Sequence, residues 1–220
     1  MKKIAVIRTD IRDKFGLPRQ SGIVKELKGR IVFEPEYRRI EAVRGLEGFS
    51  HIWLLWEFEG FGNGAFSPTV RPPKLGGNKR VGVFATRSPN RPNPIGLSAV
   101  KIEDIDLNCA DAPVITVSGV DMKDCTAIID IKPYLPSDCI SEAKGGFTEG
   151  IDRKPIKTVF AECVENPFTA DELITVEKLI AGDPRPGYAD DPDRVYGMNY
   201  KNRDIRFTVS DGVAVITEII

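Results

Sequence analysis

"LLWEFEGFGNGAFSPTVRPP", residues 54–73, is the stretch on which the fold turns. An apolar run leads into Gly60-x-Gly62-x-x-Ala65, which matches the dinucleotide-binding fingerprint in letters. That motif needs a helix to begin at its last glycine or alanine, so that a pyrophosphate meets the helix N-terminus. Pro68, Pro72 and Pro73 follow at once, and no helix propagates through them. The stretch therefore reads as a strand and a turn, and a doubly wound nucleotide fold is not expected.

The sequence on either side agrees. Short apolar runs recur at Ile4–Arg8, Ile31–Phe33, Ile40–Val43, His51–Phe58, Val81–Ala85, Leu97–Ile105, Val114–Val117 and Ala127–Ile131. Gly, Pro, Asn and Asp clusters separate them, and no long 3.6-residue period interrupts the series. Many short strands with regular turns predict a mainly β fold with a closed or partly closed barrel over residues 1–150. The remainder, 151–220, reads as a small α+β domain. Phe168–Gly182 is the best helix in the chain. Thr169 and Glu172 form a capping box, Phe168 and Leu173 a hydrophobic staple, Gly182 the terminus, and Pro184 prevents continuation. The last eighteen residues read as two strands joined at Asp211-Gly212.

Composition bounds the function classes. The 220 residues are 41% hydrophobic and 29% charged, with net charge −1. That is enough apolar material for a sizeable core, and the net charge alone does not mark the molecule as a polyanion binder. "MKKIAVIRTD" lacks a signal-peptide core because Arg8 interrupts its apolar run, and no window approaches the roughly 18 apolar residues of a membrane span. A cytoplasmic location is expected. Cys109, Cys125, Cys139 and Cys163 form no C-x-x-C pair, so neither zinc nor any other metal is expected, and reduced, mostly buried thiols are. His51 is the sole histidine and opens a strand beside Trp53. A structural hydrogen bond is the simpler reading for it, and no G-x-S-x-G elbow supports a triad. The tryptophans and phenylalanines of residues 49–58 read as core, although one at a rim could stack on a base.

Charge is distributed unevenly. Residues 60–102 contain no Asp or Glu, yet carry Arg71, Lys74, Lys79, Arg80, Arg87, Arg91 and Lys101. These cations either face water separately around a barrel or form a footprint for phosphate groups. The loop chemistry favours the footprint. Prolines in "RPP" and "SPNRPNP" stiffen the backbone and pre-position Arg87 and Arg91, where solvating charge would call for Gly and Ser.

"RPPKLGGNKRVGVFATRSPNRPNPIGLS" (71–98) resembles the signature of the TsaA-like, or TrmO, family of tRNA methyltransferases. "KFGLPRQSGIV" (14–24), "GLEGFSHIWLLWEF" (45–58), "DIKPYLP" (130–136) and "GDPRPGY" (182–188) resemble further segments of its bacterial members. The resemblance spans nearly the whole chain. It implies a β-barrel enzyme, active as a homodimer, that uses S-adenosylmethionine to methylate N6 of a threonylcarbamoyl-modified adenosine 3′ of the tRNA anticodon. It places cofactor contacts on Ser21, Gly22, Ile23, Glu59, Gly60, Arg87, Leu97, Asp124, Cys125, Thr126 and Ala127. The chain departs from the family at two of these places. The family loop D-G-T-P reads Asp124-Cys125-Thr126-Ala127 here, and Glu59 stands where histidine is common.

The residue chemistry fits those implications. Arg87 can clamp a carboxylate through its planar fork, and Glu59 or Asp124 can meet ribose hydroxyls or an ammonium group. Asp124 can equally be a plain turn residue. Asn93 and Asp130 are candidates for aligning or deprotonating the acylated N6, although Asp130 can instead pair with Lys132 or Arg91. Arg71, Lys74, Lys79, Arg80 and Arg91 would approach tRNA phosphates. Two other classes remain open at this level: a non-catalytic RNA- or nucleotide-binding barrel, and a small-molecule methyltransferase on the same scaffold.

Overall fold

A computed structural model describes residues 1–62, 65–72, 75, 78–149, 155–185 and 191–220. Its first strands are β1 (Ala5–Thr9), β2 (Lys28–Phe33), β3 (His51–Glu57), β4 (Thr69–Val70), β5 (Val81–Gly82), β6 (Ile95–Asp106), β7 (Val114–Ser118) and β8 (Thr126–Pro133). Six of them close a barrel in the order β1-β2-β7-β6-β3-β8, antiparallel throughout, with β8 returning to β1. The period of two explains the closure. Ile52, Leu54 and Trp56 of β3 point inward, as do Ala5 and Ile7, Ile31 and Phe33, Ile115 and Val117, and Ile128. Each Ile, Leu, Val or Phe among them gains roughly 1.5–3 kcal/mol on burial. The pair β4–β5 forms a separate two-stranded ribbon outside the barrel, where the dinucleotide fingerprint would have required a helix.

The C-terminal part adds β9 (Lys157–Phe160), α1 (Ala170–Ala181), β10 (Tyr196–Tyr200), β11 (Arg203–Ser210) and β12 (Val213–Ile219). The sheet order is β10-β11-β12-β9, with β9 parallel to β12. α1 starts as its sequence dictates: Thr169 N–H donates to Glu172 Oε2 at 2.9 Å, and Glu172 N–H to Thr169 Oγ1 at 3.4 Å. Its buried face, Val176, Leu179 and Ile180, joins one apolar cluster that runs from the barrel into this sheet. The β11–β12 hairpin turns at Asp211 and Gly212, with φ of 49° and 75°.

Three expectations are corrected. Ile40–Val43 is a 3-10 turn, because the closed barrel leaves β2 and β3 no free edge for another strand to join. Val81–Ala85 is strand only to Gly82, after which Val83–Ala85 turns. α1 does end at Gly182, as the sequence indicates; that residue keeps a right-handed conformation, and Asp183, at φ 47°, takes the left-handed position beyond it. Finally, the cysteines are free but not mostly buried: Cys125, Cys139 and Cys163 are exposed, since they lie in turns and loops rather than on inward strand positions.

Candidate active site

Barrel topology gathers the candidate residues at one end. β1, β3 and β7 finish where β2, β6 and β8 begin. The connections 10–27, 58–94 and 119–125 therefore share that rim. Ser21, Gly22, Ile23, Glu59, Gly60, Arg87, Asn93, Asp124 and Cys125 lie in them, while Leu97, Thr126 and Ala127 lie in the first turns of β6 and β8.

A half-buried carboxylate organises this rim. Asp121 Oδ1 accepts from Ser98 Oγ at 2.6 Å, and Ser98 Oγ accepts from Trp56 Nε1 at 2.9 Å. The same carboxylate accepts the backbone N–H of Ser21 and feels the charge of Arg87. Burial pushes its pKa above the ordinary value, against those hydrogen bonds and that charge. Gly22 N–H donates to Gly119 O at 2.8 Å, which fastens the Ser21–Gly22 turn to the β7–β8 connection. Gly96 is required by the same arrangement, because a Cβ there would stand 2.1 Å from Trp56 Cε2. Asp121 is absent from the sequence-derived set. Ser98, a polar residue at an inward strand position, was the available signal that a buried partner must exist.

The turn after β7 is strained at one residue. Cys125, where the resembling family carries glycine, has φ 62°. Arg8 Nη1 lies beside its sulfur at 2.5 Å, and Cys125 Sγ lies 3.2 Å from Asp124 Oδ2. Asp124 also accepts from Thr9 N–H at 3.1 Å. Burial opposes ionisation of Asp124, but the hydrogen bonds from Cys125 and Thr9 and the charge of Arg8 outweigh it and hold its pKa low. The Cys125 thiol is pushed up, first by its bond to Asp124. Thr126 is buried and Ala127 half-buried. Glu59 is exposed and ion-paired to Lys123, which lowers its pKa.

Beside the rim lies an open cleft of about 1460 Å³. Arg19, Arg71, Arg80, Arg87, Arg91, Lys144 and Arg185 line it, and no Asp or Glu is among the described residues of its wall. Arg185 is held by Asp183, Nε to Oδ1 at 2.8 Å, and Arg19 donates to Asp183 O at 2.8 Å. Arg80 donates to Thr69 Oγ1 at 2.9 Å. Among the described residues, Arg71, Lys79, Arg80, Arg87 and Arg91 form no ion pair. Lys79 is exposed but stands outside the cleft wall, and Lys74 lies outside the described residues, as does the domain boundary at residue 150.

The two proton-transfer candidates are not brought together in the cleft. Asn93 is exposed, with its carbonyl bonded by Ile95 N–H at 2.8 Å. Asp130 lies on the barrel wall in register with Leu55, which faces Leu97 on the other side. Its cation is Lys132 at 2.8 Å, not Arg91. His51, at the opposite end of β3, bonds Ser50 Oγ through Nδ1 at 2.9 Å. Among the described residues no group of three His, Cys, Asp or Glu is placed to hold a metal, and no helix is long and apolar enough to cross a membrane.

Comparison with known proteins follows the same outline. Residues 6–139 match the tRNA-methyltransferase O N-terminal domain, and residues 158–220 match the TrmO C-terminal domain. An Escherichia coli protein named tRNA (adenine(37)-N6)-methyltransferase is 37% identical over 96% of this chain and 93% of its own. A Pseudomonas aeruginosa protein provisionally named an S-adenosylmethionine-dependent methyltransferase is 34% identical over 93% of this chain and 90% of its own. The crystal structure of TrmO from Pseudomonas aeruginosa superposes with a TM-score of 0.76 at 29% identity, covering 99% of this chain and 97% of that one. With both parts matched and the fold shared end to end, the chain belongs to the tRNA-methyltransferase O (TrmO) family.

Proposed function

We propose that this protein transfers the methyl group of S-adenosylmethionine to N6 of the adenosine at position 37 of tRNA, and that this adenosine carries a threonylcarbamoyl group. Family membership and the names of its relatives support the reaction. The observation that carries it on this chain is Arg87. It lines the cleft, whose described wall residues include no acid, and its charge also acts on Asp121, which holds the Ser21 turn at the barrel rim. One residue thus stands between a surface suited to RNA phosphates and the rim turns suited to a small zwitterion.

The rim residues fit the donor. Gly22 and Gly60 have positive φ, and a Cβ at either would meet nothing within 4 Å, so both turns offer open backbone for close approach. Ile23 and Leu97 offer exposed apolar surface. Arg87 would hold the carboxylate. Asp124, already bonded by Thr9, Arg8 and Cys125, shapes the turn, and the exposed Glu59 is left for the ribose or the ammonium group. When bound, the donor supplies a sulfonium methyl with a good leaving group, so the protein's task is alignment. N6 is acylated in the substrate, and its proton is correspondingly acidic. Asn93 aligns the nucleobase in this reading. Asp130, oriented by Lys132, accepts the proton directly or through water.

Residues 1–150 hold donor and nucleobase, and residues 151–220 brace the rim. The enzyme acts as a homodimer in the cytoplasm, a second copy covering the exposed rim side chains, and sedimentation at low concentration tests that state. The deciding experiment is nucleoside analysis of tRNA from a strain lacking this protein, with add-back of purified enzyme. The methylated threonylcarbamoyl nucleoside should vanish and return. Its persistence in the deletion strain would overturn the reading. Calorimetry with Arg87→Ala should show weakened donor binding, and unchanged affinity would remove the carboxylate clamp.

A further inference from the structure

Two aromatic rings stand in solvent on the wall of the cationic cleft. Phe66 is 56% exposed and Phe84 72%. Their centroids are 6.3 Å apart and their planes 27° from parallel. The Arg91 guanidinium lies 6.0 Å from the centre of the Phe84 ring, held by a bond from Nη1 to Thr86 O at 3.2 Å. The backbone beneath is fixed. Val83 is buried, its N–H donates to Pro68 O at 2.9 Å, and Thr86 Oγ1 donates to Val83 O at 2.8 Å. The β4–β5 ribbon connects the two ring-bearing segments. In the Val83–Ala85 turn Val83 faces the core and Phe84 faces solvent, a position that does not require phenylalanine.

Charge selects the occupant. The cations beside these rings meet no carboxylate among the described wall residues, so a protein partner would have to bring its own. A duplex offers phosphates but hides its base faces. A single-stranded nucleic acid is a polyanion with exposed, planar, apolar faces, and is recognised elsewhere by a basic groove with aromatic side chains under the bases. We propose that Phe66 and Phe84, flanked by Arg91, form a stacking platform for an unpaired base of the RNA. This rests on the reading above, which puts RNA in the cleft, and adds a sequence-tolerant contact to its phosphate contacts.

The test is binding, by fluorescence anisotropy, of a single-stranded anticodon-loop oligoribonucleotide and of a duplex of equal composition. Phe84→Ala and Phe66→Ala should each weaken the single strand about tenfold or more. They should leave duplex binding and the salt slope unchanged, and Phe84→Trp should bind like the native protein. Abasic replacement at one loop position should cost the native protein its advantage and cost Phe84→Ala nothing further. Native-like binding by both alanine variants overturns the proposal. So does a loss confined to S-adenosylmethionine affinity, which would assign the rings to the donor's adenine, or to self-association, which would assign them to a second copy. If the expected RNA pattern is seen but no methyl group is transferred, the platform stands and the methylation reading falls.

Discussion

Asp121 and Cys125 sit four residues apart at the barrel rim, and each breaks a local rule. Asp121 is a half-buried carboxylate in the β7–β8 connection, bonded by the Ser98 hydroxyl and the Ser21 N–H. Removing it leaves the buried Ser98 hydroxyl without its acceptor, which costs about 1–3 kcal/mol, and releases the Ser21 turn beside Arg87. Asp121→Ala is therefore expected to weaken S-adenosylmethionine binding about tenfold or more in calorimetry and to lower the melting temperature. Asp121→Asn, which keeps an acceptor oxygen, should recover most of the stability and less of the affinity. Full donor affinity in the alanine variant would show that Asp121 does not position the rim. Cys125 adopts a left-handed conformation that costs an L-residue about 1–2 kcal/mol. Cys125→Gly relieves that strain but gives the unfolded chain more freedom, so a net gain of about 0.5 kcal/mol remains. The melting temperature should rise by about 1–2 °C. A fall would mean that the contacts of its sulfur with Arg8 and Asp124 outweigh the backbone strain.

At the scale of elements, β3 and β6 show how packing and site are joined. Trp56 lies flat against the backbone of its register partner Gly96, and its indole N–H begins the chain through Ser98 to Asp121. Gly96→Ala would drive a methyl group into the indole. Overpacking of this kind costs about 1–3 kcal/mol or more. The expected outcome is a lower melting temperature together with weakened donor binding, because the displaced indole can no longer bond Ser98. A destabilised variant with native donor affinity would separate the core from the site. The strands themselves were legible in the sequence because inward and outward residues alternate and prolines exclude the helix after Gly62. The capping box of α1 was legible for a similar local reason. Ile40–Val43 was not, since its apolar content suits a strand and only barrel closure denies it an edge. Among site residues, Arg71, Arg80, Arg87 and Arg91 were legible as a cluster from the missing acids. Asp121, Phe66 and Phe84 were not, because their roles depend on which loops the barrel gathers at one end.

Across the whole molecule, the C-terminal sheet grips the connection that carries Ser21 and Gly22. Phe15 stacks on Tyr196 with centroids 5.9 Å apart and planes 4° from parallel. Gly16, at φ 91°, approaches Met198 so closely that a Cβ would stand 3.0 Å from the methionine Cβ. Lys178 pairs with Glu26, and Lys201 N–H donates to Asp10 O at 2.9 Å. Lys201 Nζ then ties Glu172, at 2.7 Å, to Asp10, at 3.9 Å. This cluster makes the grip sensitive to pH. The hydrogen bond from Lys201, followed by that from the Thr169 N–H, pulls the Glu172 pKa down from 4.5 to about 2. A depressed carboxylate stabilises the folded state fully above pH 4.5, and its contribution is lost as the pH falls from 4.5 to about 2. Asp10 works in the opposite sense, because burial raises its pKa against the pull of Lys201. The melting temperature of the native protein should therefore fall more steeply across that interval than that of Glu172→Gln, the two curves meeting near its acid end. Asp10→Asn should steepen the native decline, since it removes the opposing group. Parallel curves for native and Glu172→Gln protein would mean that the Lys201 cluster is too well solvated to hold the connection, and that the aromatic stack of Phe15 on Tyr196 carries the grip without it.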